Sequence, residues 1–474
     1  MKHILFVASE SLPFVKTGGL ADVVGSLPQA LTSKYRVSVF IPLYLNVIPK
    51  LVDAKPVVTF MVSTPCIQQQ ATILKQTHEG IDFYFLQHQG YFEREGLYGF
   101  PDDGERFSFF NLACVTFIEK MNLHIDIVHS HDWHAGMIPL LSRVVYKHHP
   151  NHKNLKHVFT IHNLAYQGQF PLSVGKECLG LGDQILNDGS IRFDDGVNFL
   201  KSALVYAHKI TTVSPSYAQE ILGLAFGERL HEVLRLRQYD LFGILNGIDT
   251  DFWDPSKDPF IPYHYDSESL ENKVKNKLVL QKKCGLKVSE NTLLLGVVSR
   301  LTWQKGIHLI LDQMSDIMGL DVQLVVLGSG EGHLEHGFRN MVEKYYGRVA
   351  YVAGYNEPFA HEIYAGCDIL LMPSLFEPCG LSQMIAMRYG TLPLVREVGG
   401  LKDSVSPYNS AANTGTGFSF REFSVTDLYH VLRMSVYLYY HYPSEFEQTQ
   451  RNAMNEDFSW ALSSEQYAKV YESL

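Results

Sequence analysis

Residues 293–310 read LLLGVVSRLTWQKGIHLI, and this stretch decides the fold class. An apolar run is followed by a loop with two cations and then by a segment with helical periodicity, which predicts a buried strand, a loop and a helix. The chain start repeats this pattern, with a strand predicted at 4–8, a turn at 16–19 and a helix at 20–31. Strands that alternate with helices in this way predict a parallel sheet with helices on both faces.

The same rhythm continues along both halves of the chain. Further strands are predicted at 37–41, 125–129, 158–161, 209–213, 323–327, 349–352, 369–372 and 392–395. Helices are predicted at 135–146, 307–318, 334–345, 359–365 and 381–389, and Ser214 is placed to cap another. A chain of 474 residues is too long for one hydrophobic core, so two domains are expected, with a proline-rich linker at 249–262.

Composition excludes several classes of protein. The formal net charge of −10 disfavours a nucleic-acid partner, because binding a phosphate backbone needs a basic surface. The apolar run at the N-terminus is too short for a signal peptide, and no stretch reaches membrane-spanning length. Six cysteines are scattered without CxxC spacing. We therefore expect a cytoplasmic enzyme with reduced thiols and no membrane partner.

Two predicted loops carry cations at the carboxyl ends of strands, where ligands bind in such folds. Lys16-Thr17-Gly18-Gly19 opens a helix, so its amides could approach an anion; a tight turn with an exposed lysine is the alternative. The second half of a dinucleotide fingerprint is absent, so NAD binding is not indicated. Arg300 and Lys305 flank a loop where a diphosphate could bind, although two solvated cations would give the same pattern.

Polar residues cluster after two other strands. The segment 129–134 reads HSHDWH, which raises the possibility of a zinc site. Because side chains alternate between the faces of a strand, we do not expect its three imidazoles to converge simply. A polar floor to a sugar site, with Asp132 accepting hydrogen bonds from hydroxyls, is favoured. His162 and Asn163 also suit the recognition of hydroxyl groups. The alternative is that His162 is a purely structural histidine.

The segment 377–382, EPCGLS, precedes a predicted helix. Glu377 can accept hydrogen bonds from sugar hydroxyls, Gly380 lets a ligand approach, and Ser382 adds a donor. Cys379 has no histidine near it in sequence, which argues against a thiol nucleophile. A second glycine-rich turn, 328–332, is interpreted as structural.

The blocks together resemble bacterial glycogen synthases and plant starch synthases, a family of retaining glycosyltransferases with the GT-B fold. The matching segments are KTGGLADVV (16–24), HSHDWHAG (129–136), FTIHNLAYQ (159–167), NGIDTDFWDP (246–255), SRLTWQKG (299–306) and PSLFEPCGLSQMIAMRYG (373–390). The resemblance spans nearly the whole chain in the family's order.

The resemblance implies two facing Rossmann-like domains with a deep cleft between them. The acceptor-side domain would be 1–245 with a returning helix at 457–474, and the nucleotide-sugar domain would be 246–456. It implies transfer of glucose from ADP-glucose to the non-reducing end of an α-1,4-glucan such as glycogen, with no metal and no other cofactor. UDP-glucose as donor stays open.

The resemblance also assigns roles to individual residues. The catalytic set is Glu377, His162, Asp132, Lys305 and Arg300. The substrate-binding set is Lys16, Gly18, Gly19, Asp22, Asn163, Asn246, Tyr355, Cys379, Gly380, Leu381 and Ser382. Within these sets the two cations and Lys16 are expected at the donor, and Tyr355 near the nucleotide base.

Alternative functions are weighed against this one. A glycosidase needs two carboxylates that flank the bond, and only Glu377 is a good candidate. A glycogen phosphorylase would share the architecture but would need a lysine-linked pyridoxal cofactor. A nucleotide-sugar epimerase would act without a glucan. A glucan-binding protein without turnover is the non-enzyme alternative.

Overall fold

The computed structural model describes residues 1–121 and 123–474. The chain divides into two compact units. Unit 1 comprises Met1–Gly247 together with Trp460–Leu474, and unit 2 comprises Ile248–Ser459. Each unit has its own sheet.

The strands of unit 1 form a nine-stranded and a three-stranded sheet. They are β1 (His3–Val7), β2 (Arg36–Pro42), β3 (Lys55–Ser63), β4 (Gln68–His78), β5 (Ile81–Gln87), β6 (Ile127–His131), β7 (Lys156–Ile161), β8 (Gln169–Pro171), β9 (Arg192–Phe193), β10 (Gly196–Asn198), β11 (Lys209–Thr212) and β12 (Leu241–Gly243). The large sheet has the order β12-β11-β7-β6-β1-β2-β5-β4-β3. It is parallel from β12 to β5, and β4 and β3 extend it as an antiparallel hairpin.

Unit 2 has a six-stranded parallel sheet. Its strands are β13 (Leu293–Val298), β14 (Val322–Gly328), β15 (Val349–Ala353), β16 (Ile369–Met372), β17 (Leu392–Arg396) and β18 (Phe418–Phe420). The order β15-β14-β13-β16-β17-β18 is that of a doubly wound dinucleotide-binding sheet. The direction of winding reverses between β13 and β16, and in unit 1 it reverses between β1 and β6. Ligands bind at such switch points, outside the carboxyl ends of the strands.

Helices cover the sheets. In chain order they are α1 (Gly19–Leu31), α2 (Gln89–Phe92), α3 (Asp103–Lys120), α4 (Ile138–Leu140), α5 (Pro150–Lys153), α6 (Asp183–Asn187), α7 (Phe199–Tyr206), α8 (Pro215–Glu220), α9 (His231–Leu236), α10 (Glu271–Lys283), α11 (Ile307–Asp312), α12 (Met314–Ile317), α13 (Gly332–Lys344), α14 (Glu357–Gly366), α15 (Ser382–Arg388), α16 (Gly399–Ser404), α17 (Val425–His441), α18 (Pro443–Met454) and α19 (Trp460–Glu472). In the described part of the chain, none of these has the length and apolar character needed to cross a bilayer.

Local sequence signals explain several element boundaries. The strand β1 is apolar from Ile4 to Val7, and all five of its residues, His3 included, are buried. The Ser214 side chain accepts a hydrogen bond from the amide of Tyr217 and so caps α8, as predicted. A single long helix at 307–318 was expected, but the segment is interrupted at Gln313, between α11 and α12.

Two sequence predictions around the histidine motif are wrong. The strand predicted at 125–129 runs instead to His131, because β6 pairs with β7 as far as His131 opposite Thr160. The helix predicted at 135–146 is broken into a short helix, α4, and a π-helical turn at Leu141–Val145. Pro139 lies in the first turn of α4, where a residue without an amide hydrogen is tolerated, so the regular helix begins only at Ile138.

Candidate functional site

The loops after β13 and β16 lie at the switch point of the unit 2 sheet. Arg300 and Lys305 are in the first loop, and Glu377 is in the second. The two loops contact each other, because the amide of Leu375 donates to the carbonyl of Gln304 at 2.8 Å. The topology therefore brings together cations and a carboxylate that are distant in sequence.

Lys305 and Glu377 form a close ion pair. The Lys305 Nζ lies 2.6 Å from Glu377 Oε2, which also accepts from the Ser374 hydroxyl at 3.0 Å. The glutamate is buried, whereas the lysine keeps 18% of its side chain exposed. Arg300 is exposed to solvent and, among the described residues, has no carboxylate within ion-pair distance. One cation is thus already paired with a carboxylate, and the other is open to a ligand.

Glycines allow these loops to pack closely. Gly306 has a φ of +67°, and a Cβ there would lie 1.9 Å from the carbonyl oxygen of Pro373. A Cβ on Gly399 would lie 2.0 Å from the carbonyl oxygen of Glu377. A side chain at Gly306 would push the loops after β13 and β16 apart, and one at Gly399 would push the start of α16 away from the loop after β16. The glycine-rich turn after β14 is likewise structural, because Gly328 packs against the Ser299 carbonyl.

The remaining predicted residues of unit 2 lie at helix N-termini. Cys379 is buried, and Gly380 has a φ of +72°. Leu381 is the N-cap of α15, and Ser382 is its first residue. Tyr355 follows β15, and 64% of its surface is exposed.

The lysine–glycine loop of unit 1 opens α1 at the other switch point. Lys16 Nζ lies 2.7 Å from Asp22 Oδ1, in the first turn of that helix. The N-cap, Gly18, has an extended backbone with a φ of −161°. As a glycine it has no side chain that could cap the helix. A Cβ on Gly18 would meet no atom of residues 1–121 or 123–474 within 4 Å. The chain itself therefore gives no reason for a glycine at this position. Gly19, the next residue, is the first residue of α1.

Asp132 holds the segment after β7 in place. Its Oδ1 accepts from the amide of His162 at 2.8 Å, and the carboxylate also accepts from the amide of Asn163. Burial raises the pKa of Asp132 to about 7, against the effect of these bonds. Its φ of +55° is rare for a residue with a side chain. Strain of this kind persists where the surrounding structure enforces it, often at functional sites.

His162 is a neutral imidazole beside His131. The His162 Nε2 and His131 Nδ1 are 3.0 Å apart, so one of them donates to the other. Burial lowers the pKa of both rings, which keeps them uncharged at neutral pH. The imidazole can therefore act as a hydrogen-bond donor or acceptor without carrying charge.

The histidine motif does not form a three-ligand cluster. His129 and His131 are two residues apart and share one face of β6, with ring centroids 4.2 Å apart. His134 lies apart from them, with its ring centroid 4.0 Å from that of Trp133 and the two ring planes tilted by 31°. Within residues 1–121 and 123–474, no group of three or more histidine, cysteine or acidic side chains is placed to hold a metal ion.

Asn246 lies near the end of unit 1. It is buried, and within the described residues its side-chain oxygen has no hydrogen-bond partner. A buried acceptor without a partner is costly, so a ligand donor there would be favourable. The neighbouring Gly247 packs against the backbone of Trp460 in α19.

Sequence reasoning missed two residues at these sites. Ser374 donates to Glu377, and Glu10 accepts hydrogen bonds from the lysine–glycine loop. Ser374 follows β16 by two residues and Glu10 follows β1 by three. Polar residues directly after these strands were the available signal.

Comparison with known proteins identifies the family. The profile described as "Starch synthase catalytic domain" matches residues 3–236, and the one described as "Glycosyl transferases group 1" matches 281–433. Curated proteins named glycogen synthase are similar over their whole length. The protein from Streptococcus mutans is 45% identical, with 99% of each chain covered. The protein from Geobacillus thermodenitrificans is 43% identical, covering 99% of this chain and 97% of the relative.

Solved structures agree with this assignment. The catalytic domain of starch synthase IV from Arabidopsis thaliana, solved with ADP and acarbose, superposes with a TM-score of 0.92. It is 33% identical and covers 100% of this chain and 99% of its own. The predicted α/β fold of the GT-B class is confirmed, and so is the predicted glycosyltransferase family. Two sheets with a switch point, a paired lysine and glutamate in unit 2, and full-length similarity therefore lead to one assignment: the chain belongs to the glycogen and starch synthase family of glycosyltransferases.

Proposed function

We propose that the chain transfers glucose from ADP-glucose to the non-reducing end of an α-1,4-glucan, with retention of configuration, in glycogen biosynthesis. The observation that carries the proposal is the 2.6 Å contact between Lys305 and Glu377 beside the exposed Arg300. A nucleotide sugar needs cations for its diphosphate and acceptors for its hydroxyls, and these loops supply both. The full-length similarity to glycogen synthases supports the same reaction.

The unit 2 residues act on the leaving group. When the bond between the glucose anomeric carbon and the phosphate oxygen breaks, its electron pair stays on the diphosphate. Arg300 and Lys305 stabilise the charge that develops there. Glu377 accepts hydrogen bonds from the glucose hydroxyls and faces the positive charge that develops on the sugar. The acceptor hydroxyl attacks from the same side, and its proton passes to the departing phosphate, so no protein nucleophile is needed.

The unit 1 residues position the substrates. Lys16 contacts the donor, and the open space beside Gly18 receives part of it. His162 hydrogen-bonds the reacting glucose as a neutral imidazole. Asp132 acts through His162 and Asn163, because its carboxylate already accepts from both of their amides.

The remaining residues bind the nucleotide and the sugar. Tyr355 stacks near the base, and Asn246 accepts a hydrogen bond from the donor through its side-chain oxygen, which has no partner among the described residues. The backbone of residues 379–382 lies at the N-terminus of α15, where partial positive charge favours an anion. The proposed reaction uses no metal, because Arg300 and Lys305 provide the charge.

A transfer assay tests this function. The purified chain is incubated with glycogen and with glucose-labelled ADP-glucose or UDP-glucose, and label is followed into polymer. Label in polymer from ADP-glucose, abolished when glycogen is omitted, is the expected result. Label transferred only from UDP-glucose would show that the donor is UDP-glucose and not ADP-glucose. Label that stays in nucleotide sugar, with or without epimerised sugar, would contradict the proposal.

A further inference from the structure

Glu10 is a buried carboxylate whose described hydrogen-bond partners are neutral. It is 3% exposed and lies directly after β1. Its oxygens accept from the amide and the hydroxyl of Thr17, the latter at 2.6 Å, and from the Tyr98 hydroxyl at 2.6 Å. Lys16, the cation next to Thr17, is paired instead with Asp22. Burying a carboxylate without a neighbouring cation costs free energy of folding. Groups that are kept at such a cost are often found at functional sites, so Glu10 is a candidate for a functional role.

The hydrogen bonds of Glu10 fasten the lysine–glycine loop at one residue. Thr17 stands between Lys16 and Gly18, and it is exposed apart from these bonds. The N-cap Gly18 contributes no side-chain bond of its own to α1. The Lys16–Asp22 pair fixes the other side of the loop. The backbone course of residues 16–18 therefore depends on the Glu10 carboxylate.

Tyr98 connects this carboxylate to the histidine motif. Its hydroxyl donates to Glu10 and is 2.8 Å from the Ser9 hydroxyl. Burial raises the pKa of Tyr98 well above its usual range, so the phenol stays protonated and can donate. Its ring lies 4.5 Å from that of His134. Glu10 thus joins the loops that follow β1 and β6, the two strands at the switch point.

We propose that Glu10 is a positioning residue for the donor: it holds Thr17 so that Lys16 and the open space beside Gly18 receive the diphosphate of the nucleotide sugar. The inference rests on the proposed function. A carboxylate repels a diphosphate, so direct contact between the two is unfavourable and Glu10 acts through Thr17. Its charge suits this task, because a carboxylate accepts several hydrogen bonds and presents no donor to compete with them.

The substitution Glu10→Gln tests the proposal. The amide keeps the shape but turns an N–H₂ group toward one of the donors, so the loop loses a charge-assisted hydrogen bond. We expect the Kd for ADP, measured by calorimetry, to rise about tenfold. The KM for ADP-glucose should rise by the same factor, and kcat at saturating donor should change less than about threefold, because the loop is held equally in ground and transition states. The matched control is Glu472→Gln, an exposed carboxylate of α19 in the same unit.

A double-mutant cycle separates positioning from a merely structural role. In a Lys16→Ala background the effect of Glu10→Gln on the ADP Kd should shrink to less than about twofold, because the positioned cation is gone. In an Arg300→Ala background the tenfold effect of Glu10→Gln on the Kd for ADP should persist. If Glu10→Gln does not fold, Thr17→Val removes only the hydroxyl bond and should give a smaller loss with the same pattern.

The outcomes distinguish this inference from the proposed function. An ADP Kd for Glu10→Gln equal to that of the wild type overturns the inference alone. A tenfold loss of ADP affinity that persists in the Lys16→Ala background also overturns it. A Glu10→Gln variant with a lower melting temperature and unchanged ADP affinity does the same. A wild-type chain that binds ADP but does not transfer glucose overturns the function while the binding cycle still decides the role of Glu10. A wild-type chain that binds neither ADP nor UDP overturns both.

Discussion

Each unit places a glycine within two residues of a lysine after the first strand of its main sheet, but the two glycines have different surroundings. In unit 1, Gly18 has an extended backbone and open space where a side chain would be. In unit 2, Gly306 has a φ of +67° and packs against the carbonyl of Pro373. The second glycine is required by the fold, whereas the first is not, and we propose that it leaves space for a ligand. The lysines also differ, since Lys16 pairs with a carboxylate of the helix that its loop opens, and Lys305 pairs with one from a neighbouring loop.

The largest expected effect comes from the unit 2 carboxylate. Glu377→Gln keeps the shape but removes the charge that faces the sugar, so kcat should fall by about 10³ while the Kd for ADP stays within a few-fold. Steady-state kinetics on a fixed glycogen primer, with calorimetry for ADP, measure both quantities. The exposed Glu456→Gln in the same unit is the control. A variant with normal turnover would remove Glu377 from the catalytic set.

The two cations of unit 2 should differ in their effects. Lys305→Ala removes a charge from the leaving group and leaves the buried Glu377 without its cation, so kcat should fall by about 10² or more. Arg300→Ala, an exposed cation, should lower kcat less and raise the donor KM about tenfold. The two losses should be non-additive because both charges act on one diphosphate. Lys282→Ala, which changes an exposed lysine of the same unit, is the control. Equal and purely additive losses for Lys305→Ala and Arg300→Ala would contradict the distinction between the two cations.

The fold was predictable because the sequence repeats its pattern locally. The run from 293 to 310 forms β13, a cationic loop and α11, and its counterpart at 4–31 forms β1, the lysine–glycine loop and α1. What escaped prediction depends on long-range contacts. The pairing of β6 with β7 carries the polar residues His129 and His131 into a buried strand, which an apolar pattern does not indicate.

The sequence could predict individual residues of the candidate site, but not the contacts between them. The roles of Lys305 and Glu377 were assigned by resemblance, but their contact spans 72 positions and follows from the order of strands in the sheet. The same holds for Glu10 and Tyr98, which are 88 positions apart. Neither residue follows a periodic pattern, and no motif of adjacent residues contains both. The roles of these residues stay predictions that the substitutions above test.

Acidification should weaken unit 1 through its buried histidines. Burial lowers the pKa of His129 to about 3 and also lowers those of His131 and His162. A histidine with a lowered folded-state pKa contributes its full stability above about pH 6.5 and loses it as the pH falls toward the folded-state value. Each can cost up to about 1.4 kcal/mol per pH unit in that window. Asp132 opposes this trend, because its raised pKa makes ionisation destabilising as the pH rises from 3.8 to about 7.

Hydrogen exchange measures this difference between the units. After correction for the intrinsic rate, amides of β6 and β7 should lose protection between pH 7.5 and pH 5 more than those of β13 and β14. The exposed His148→Gln should leave the difference unchanged. Equal loss of protection in both sheets would show that the buried histidines do not govern acid sensitivity.

The smallest expected effect is that of metal removal. Arg300 and Lys305 are proposed to supply the charge that a divalent ion supplies in other phosphate-transferring sites. Transfer after treatment with EDTA and gel filtration should therefore stay within twofold of the untreated rate. A loss that Mg²⁺ or Zn²⁺ restores would contradict this role of the two cations.

The most direct test of the account compares Gly18→Ala with Gly306→Ala, by melting temperature and by ADP affinity. Gly306→Ala forces a strained backbone and a contact of 1.9 Å with a carbonyl oxygen, so it should cost about 3 kcal/mol and lower the melting temperature by roughly 6–12 °C. Gly18→Ala should leave the melting temperature within about 1 °C, since a surface change without new contacts costs little, and should weaken ADP at least about tenfold because the methyl group occupies space reserved for the donor. If Gly18→Ala binds ADP as the wild type does, the open space at the lysine–glycine loop is not a donor site and the account is contradicted.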